Sequence, residues 1–131
     1  MTDLHDALRE HDDAHAPLTD AWRAVNAAYG TPDQANAEQA WQAAQTRARH
    51  ATDTLLNAIR SEAVRHPTLR GPLNAYLERT SEHEQAARIQ SHTDNPEADE
   101  TARKRWLDTF SAQRQARQDL ITAARALQET A

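Results

Sequence analysis

The chain has no cysteine. Disulfides, thiolate metal sites and cysteine nucleophiles are excluded, and a reducing compartment is compatible with the composition. Glycine occurs only twice, so there is no Gly-rich phosphate loop and no glycine-framed serine, and catalysis finds little support. Aromatic residues make up 5% of the chain, β-branched residues are few, and no stretch alternates apolar with polar. A β-sheet has no material here. No apolar run approaches the ~20 residues that a membrane helix needs. The opening Met1-Thr2-Asp3-Leu4-His5-Asp6 is acidic and polar and does not read as a signal peptide. Lys104 is the only lysine. The net charge of −5 argues against coating nucleic acid or an anionic membrane through bulk charge. A cytoplasmic protein without membrane association is expected, and no cofactor is implied.

Ala, Arg, Gln and Glu, all strong helix formers, crowd the chain. Leu4, Leu8, His11, His15, Leu18, Trp22, Val25 and Tyr29 follow one another at alternating gaps of four and three. This is a heptad seam of the coiled-coil kind, turning one face of a helix toward partner helices. The seam keeps its phase across Pro17, which predicts one kinked helix from Asp3 to Tyr29, with two short helices as the alternative. Gly30 ends it. Thr31-Pro32-Asp33 then supplies a cap, a first-turn proline and an acid for the dipole. The second helix is expected to reach Arg65, before His66-Pro67. Its seam is Ala37, Trp41, Ala44, Ala48, Ala51, Leu55 and Ala58, with Leu56, Ile59 and Val64 beside it.

A third helix starts at Thr68 or Gly71 and ends near His92. Leu69, Leu73, Tyr76, Leu77, Thr80, His83, Ala87 and Ile89 are expected on its inner face. Asn95-Pro96-Glu97 opens a fourth helix to about Gln128, with the seam Ala102, Trp106, Thr109, Gln113, Ala116, Leu120, Ala123 and Leu127, flanked by Phe110 and Ile121. Short connections make neighbours antiparallel. The expected fold is all-α: one domain over residues 1–131, an antiparallel up-down-up-down four-helix bundle. The alternative is long helical hairpins that complete a core by dimerising.

Three constellations could carry chemistry. His11 and His15, four apart, have the spacing that lets two imidazoles reach one metal ion. Antiparallel pairing would bring His50 and His83 toward the same depth. The layout resembles that of the hemerythrin-like bundles at Glu10-His11 and at Ser81-Glu82-His83-Glu84. It departs from them where Thr54 follows His50, where Ala87 follows His83 and where the fourth helix has no histidine. No Glu-x-x-His pair of the di-iron type occurs either. Membership is not inferred. A histidine layer could also respond to acid, its protonation weakening the bundle, or be partly buried structure held by Gln, Thr or water.

Arg103-Lys104-Arg105 beside Trp106 is the only basic run, a pattern that could hold phosphates and stack a base. With Glu97, Asp99 and Glu100 before it and Asp108 after it, a solvated face laced with pairs three and four apart is the plainer expectation. The first helix carries Asp3, Asp6, Glu10, Asp12, Asp13 and Asp20 against only Arg9 and Arg23, which suits docking to a basic partner or to the fourth helix of a second copy. Glu78, Glu82 and Asp94 are carboxylates on or after the third helix, with no motif around them. Trp22 and Trp41 are expected to meet across the first hairpin. The function expected is a non-enzymatic helical interaction module: an adaptor, regulatory or assembly subunit partnered by another protein or by itself. A metal- or ligand-binding bundle using His11, His15, His50 and His83 is the alternative. A nucleic-acid accessory subunit using Arg103, Lys104 and Arg105 is weaker.

Overall fold

The computed structural model describes residues 3–92 and 95–130. The protein is all-α. Its elements are α1 (Leu4–His15), α2 (Leu18–Ala28), α3 (Gln34–Ala63), a 3₁₀ turn (Pro67–Leu69), α4 (Arg70–Gln90) and α5 (Pro96–Thr130), with no strand among the described residues. The chain falls into two compact units, Met1–Ser61 and Glu62–Ala131.

Pro17 divides the first rod into α1 and α2, where one kinked helix was expected. Proline brings no N–H for the Asp13 carbonyl four residues back, so the ladder is interrupted there. Ala16 (φ −55°, ψ −44°) and Pro17 (φ −78°, ψ −7°) nevertheless both stay in the right-handed helical region. The winding therefore continues through the gap, which is why the seam keeps its phase. Asp3 caps α1, accepting the Asp6 N–H at 2.8 Å. Gly30 takes φ +76°, a left-handed turn that a side chain would resist. At the entry to α3, Thr31 Oγ1 accepts the Asp33 N–H at 3.3 Å. Gln34 Oε1 accepts the Gly30 N–H at 2.9 Å. The helix starts at Gln34, just past the Thr-Pro-Asp signal.

The first unit is a helical hairpin. Arg47 meets Glu10 with N–O distances of 3.2 Å, and Trp22 meets Trp41 with ring centroids 5.2 Å apart. The later residue of α1–α2 faces the earlier residue of α3, so the pairing is antiparallel. Leu4, Ala7, Leu8 and Ala14 of α1, and Ala48, Ala51, Leu55, Ala58 and Ile59 of α3, are buried. No residue of α2 is buried. The expected seam therefore fades beyond Leu18: Trp22 is 49% exposed and Tyr29 79%. Tyr29 leaves the seam because its backbone (ψ 127°) has left the helix.

The second unit begins with the end of α3. Arg70 donates from Nε to the Ala63 carbonyl at 2.9 Å and from Nη2 to the Val64 carbonyl at 2.8 Å. A cation here satisfies terminal carbonyls and opposes the helix dipole. Val64 lies past the helix end and is exposed, against expectation. α4 and α5 form an antiparallel hairpin: Gln113 Nε2 donates to Thr80 Oγ1 at 3.1 Å, and His83 contacts Thr109 at 3.0 Å. Asn95 caps α5, its Oδ1 accepting the Ala98 N–H at 2.8 Å. Leu69, Leu73, Ala86, Ala102, Ala116, Leu120 and Ala124 are buried. Leu77 and Ile89, expected inside, are exposed at 39% and 46%. At about 100° per residue, Leu77 is turned about 100° from Tyr76 and Ile89 about 200° from Ala87, away from the line through Leu69, Tyr76, Thr80, His83 and Ala87.

Candidate functional site

The histidines divide between the units. His11 and His15 are half-buried on α1 with ring centroids 4.0 Å apart and planes tilted by 30°. His15 Nδ1 lies 2.8 Å from the His11 carbonyl. A carbonyl only accepts, so Nδ1 carries the proton and Nε2 is the open nitrogen. His11 Nδ1 lies 3.7 Å from an Asp12 carboxylate oxygen. His50 is exposed on α3.

His83 belongs to another arrangement. Thr109 Oγ1 lies 2.9 and 3.1 Å from the Arg105 and Trp106 carbonyls and 3.0 Å from His83 Nδ1, with which it shares a hydrogen bond. The His83 ring packs on Trp106 and Phe110 with centroids at 5.1 and 5.7 Å. Trp106 and Phe110 stack nearly parallel, 5.4 Å apart with 7° between planes. Among the described residues, no group of three or more His, Asp or Glu is placed to hold a metal ion.

The basic run is exposed at all three positions. Among the described residues, Arg103, Lys104 and Arg105 form no ion pair. The expected lacing by acids three and four away is absent for these cations. Nor do the three share a face, because consecutive helical residues are about 100° apart. Arg105 lines an open groove with Ile89, Asn95, Glu97, Ala98 and Ala102. Arg103 instead stands at the head of a row that continues with Leu107, Phe110, Arg114 and Arg117, at gaps of four, three, four and three. All five are exposed; Leu107 is 44% exposed and Phe110 41%. Arg114 and Arg117 likewise form no ion pair among the described residues. Leu107, Arg114 and Arg117 escaped the reading of the sequence, which followed the run of consecutive bases. The signal was the heptad spacing of the row itself, out of phase with the buried seam.

The acidic residues Asp6, Asp12 and Asp13 are also exposed, as is Asp20. Asp6 pairs with Arg9 at 3.5 Å and Asp20 with Arg23 at 3.7 Å, all on the surface. Asp6, Asp13 and Asp20 recur at intervals of seven and so share the outer side of the rod.

A second groove runs between α4 and α5, lined by Gly71, Pro72, Ala75, Arg79, Ala112 and Asp119 among others. Its one cation is committed: Arg79 Nη1 donates to Glu82 at 2.9 Å. That hydrogen bond and the Glu82 charge, with a smaller contribution from Glu78, push the Arg79 guanidinium above its ordinary value against a small desolvation effect. Glu78 is exposed and Glu82 is paired with Arg79. Asp94 lies outside the described residues. Among the described residues, no helix is long and apolar enough to cross a membrane. Comparison with protein-family models, with curated proteins and with solved structures found no match to the chain.

Proposed function

We propose that the chain is a non-enzymatic helical interaction module, an adaptor, regulatory or assembly subunit that self-associates through exposed helix faces and works in the cytoplasm. The observation that carries this reading is the pair Leu107 and Phe110. They stand one turn apart on α5, both more than two-fifths exposed, and Phe110 is backed by the Trp106 ring. Single exposed apolar residues are ordinary, whereas a contiguous apolar patch rimmed by charge marks a surface that another protein covers.

Light scattering across a concentration series tests the reading. The expected result is a mass that rises above the 14.7 kDa of one chain. Leu107→Ser together with Phe110→Ser is expected to bring it back down. A single-chain mass at every concentration would overturn self-association.

A further inference from the structure

We propose that the α5 row from Arg103 to Arg117 docks the acidic outer side of α1 and α2, formed by Asp6, Asp13 and Asp20, of a second copy of this chain. The proposal rests on the self-association reading and names the two surfaces that meet. Charge complementarity is the first argument. The 101–117 stretch of α5 holds five bases against the single acid Asp108, whereas residues 3–28 hold six acids against two arginines. The five bases are exposed and form no ion pair among the described residues. Asp6 and Asp20 are held only by exposed neighbours on their own helices, and such pairs exchange readily because each is worth less than about 1 kcal/mol.

Geometry is the second argument. Arg103 and Arg117 are fourteen residues apart, and so are Asp6 and Asp20. At 1.5 Å per residue each row is about 21 Å long. The charged ends can thus meet at both extremes at once, whichever way the two rods run. With the ends matched and the rods antiparallel, Leu107 falls level with Ala16, which is small and exposed, and Phe110 falls level with Asp13. A basic rim around an apolar centre, at coiled-coil spacing, is the form that recognises a helix. A polyanion such as nucleic acid would meet the same arginines, but it would also meet a chain of net charge −5.

Sedimentation of the full-length chain at low and high salt, with charge-swapped variants, decides the matter. Self-association is expected to weaken roughly tenfold or more as salt rises or when Arg103, Arg114 and Arg117 are changed to Glu. The variant D6K/D13K/D20K is expected to lose it likewise, and an equimolar mixture of the two variants to regain it. Circular dichroism checks that each variant is helical. The neutral variant D6N/D13N/D20N, with the same expected loss, replaces the lysine form if that form fails to fold. Self-association that persists in the glutamate variant, or a mixture that stays monomeric, overturns this docking while leaving self-association in place. A wild-type chain that is monomeric at every salt concentration removes the functional reading itself. If a fluorescent single-stranded or duplex oligonucleotide binds the wild type but not the glutamate variant, and self-association is equal in both, the row is a phosphate site and the docking is wrong.

Discussion

In the first unit the hairpin is tied by Glu10 and Arg47, each side chain about half exposed, and by the Trp22–Trp41 pair. In the second it is tied by polar groups that are mostly covered: Thr80 to Gln113 and His83 to Thr109. An exposed ion pair competes with water and with salt at every moment, and its net worth is small. A half-buried amide and hydroxyl have fewer alternatives, so separating them leaves a donor or acceptor unsatisfied. The ion pair of the first unit therefore adds little to what its buried core already fixes. In the second unit the part-buried contacts of Thr80 with Gln113 and of His83 with Thr109 carry more of the pairing.

The comparison breaks most visibly at the core. Leu55 in the first unit and Leu120 in the second are fully buried. Aspartate at either is expected to cost more than about 4 kcal/mol and abolish cooperative thermal melting, because a carboxylate there has neither water nor a partner. Leu77→Asp, at a position 39% exposed, is expected to cost no more than about 2 kcal/mol, well short of the core variants. Equal losses at Leu77 and Leu120 in a circular-dichroism melt would show that the burial pattern is wrong.

The ladder of the second unit comes next. Gln113→Leu removes the donor to Thr80 and is expected to cost about 1–2 kcal/mol. Adding Thr80→Val should recover part of the loss, since both polar groups are then gone. A double-mutant cycle by urea denaturation measures that coupling, and strict additivity would show that the contact contributes nothing. The smallest effect belongs to the first unit's tie. Arg47→Ala and Glu10→Gln are each expected to change stability by less than about 0.5 kcal/mol, and less again at high salt. A loss as large as that of Gln113→Leu would erase the contrast between the units.

Much of this was legible in the chain itself. The Asn95 cap and the left-handed Gly30 are local chemistry, and local chemistry is written in a few adjacent residues; the second rod, expected to reach Arg65, ends two residues earlier at Ala63. The meeting of Trp22 with Trp41 followed from pairing two seams head to tail. Burial was less legible. Trp22, Leu77 and Ile89 stand at or beside helical seam positions yet remain exposed, because period alone says which side of a rod is apolar and not how far along it a neighbour covers that side. Tyr29 and Val64 left the pattern because the helix ended before reaching them.

The candidate surface divides in the same way. Three adjacent bases drew the eye in the sequence, but a helix turns them to different faces. The row that matters lies at gaps of four and three and includes two arginines well downstream. Its spacing was present all along; its exposure was not, since a heptad row reads the same whether it is buried or bare.

What the sequence determined by itself is the all-helical character of the chain and the local signals near which its rods start and stop. Those depend on backbone torsions, caps and missing donors within one turn of chain. What only the tertiary structure decided is which stripe of each rod is covered, where the cover ends, and that Arg103, Leu107, Phe110, Arg114 and Arg117 are left bare. Exposure is a property of the neighbours a side chain has in space, and those neighbours are contributed by residues tens of positions away.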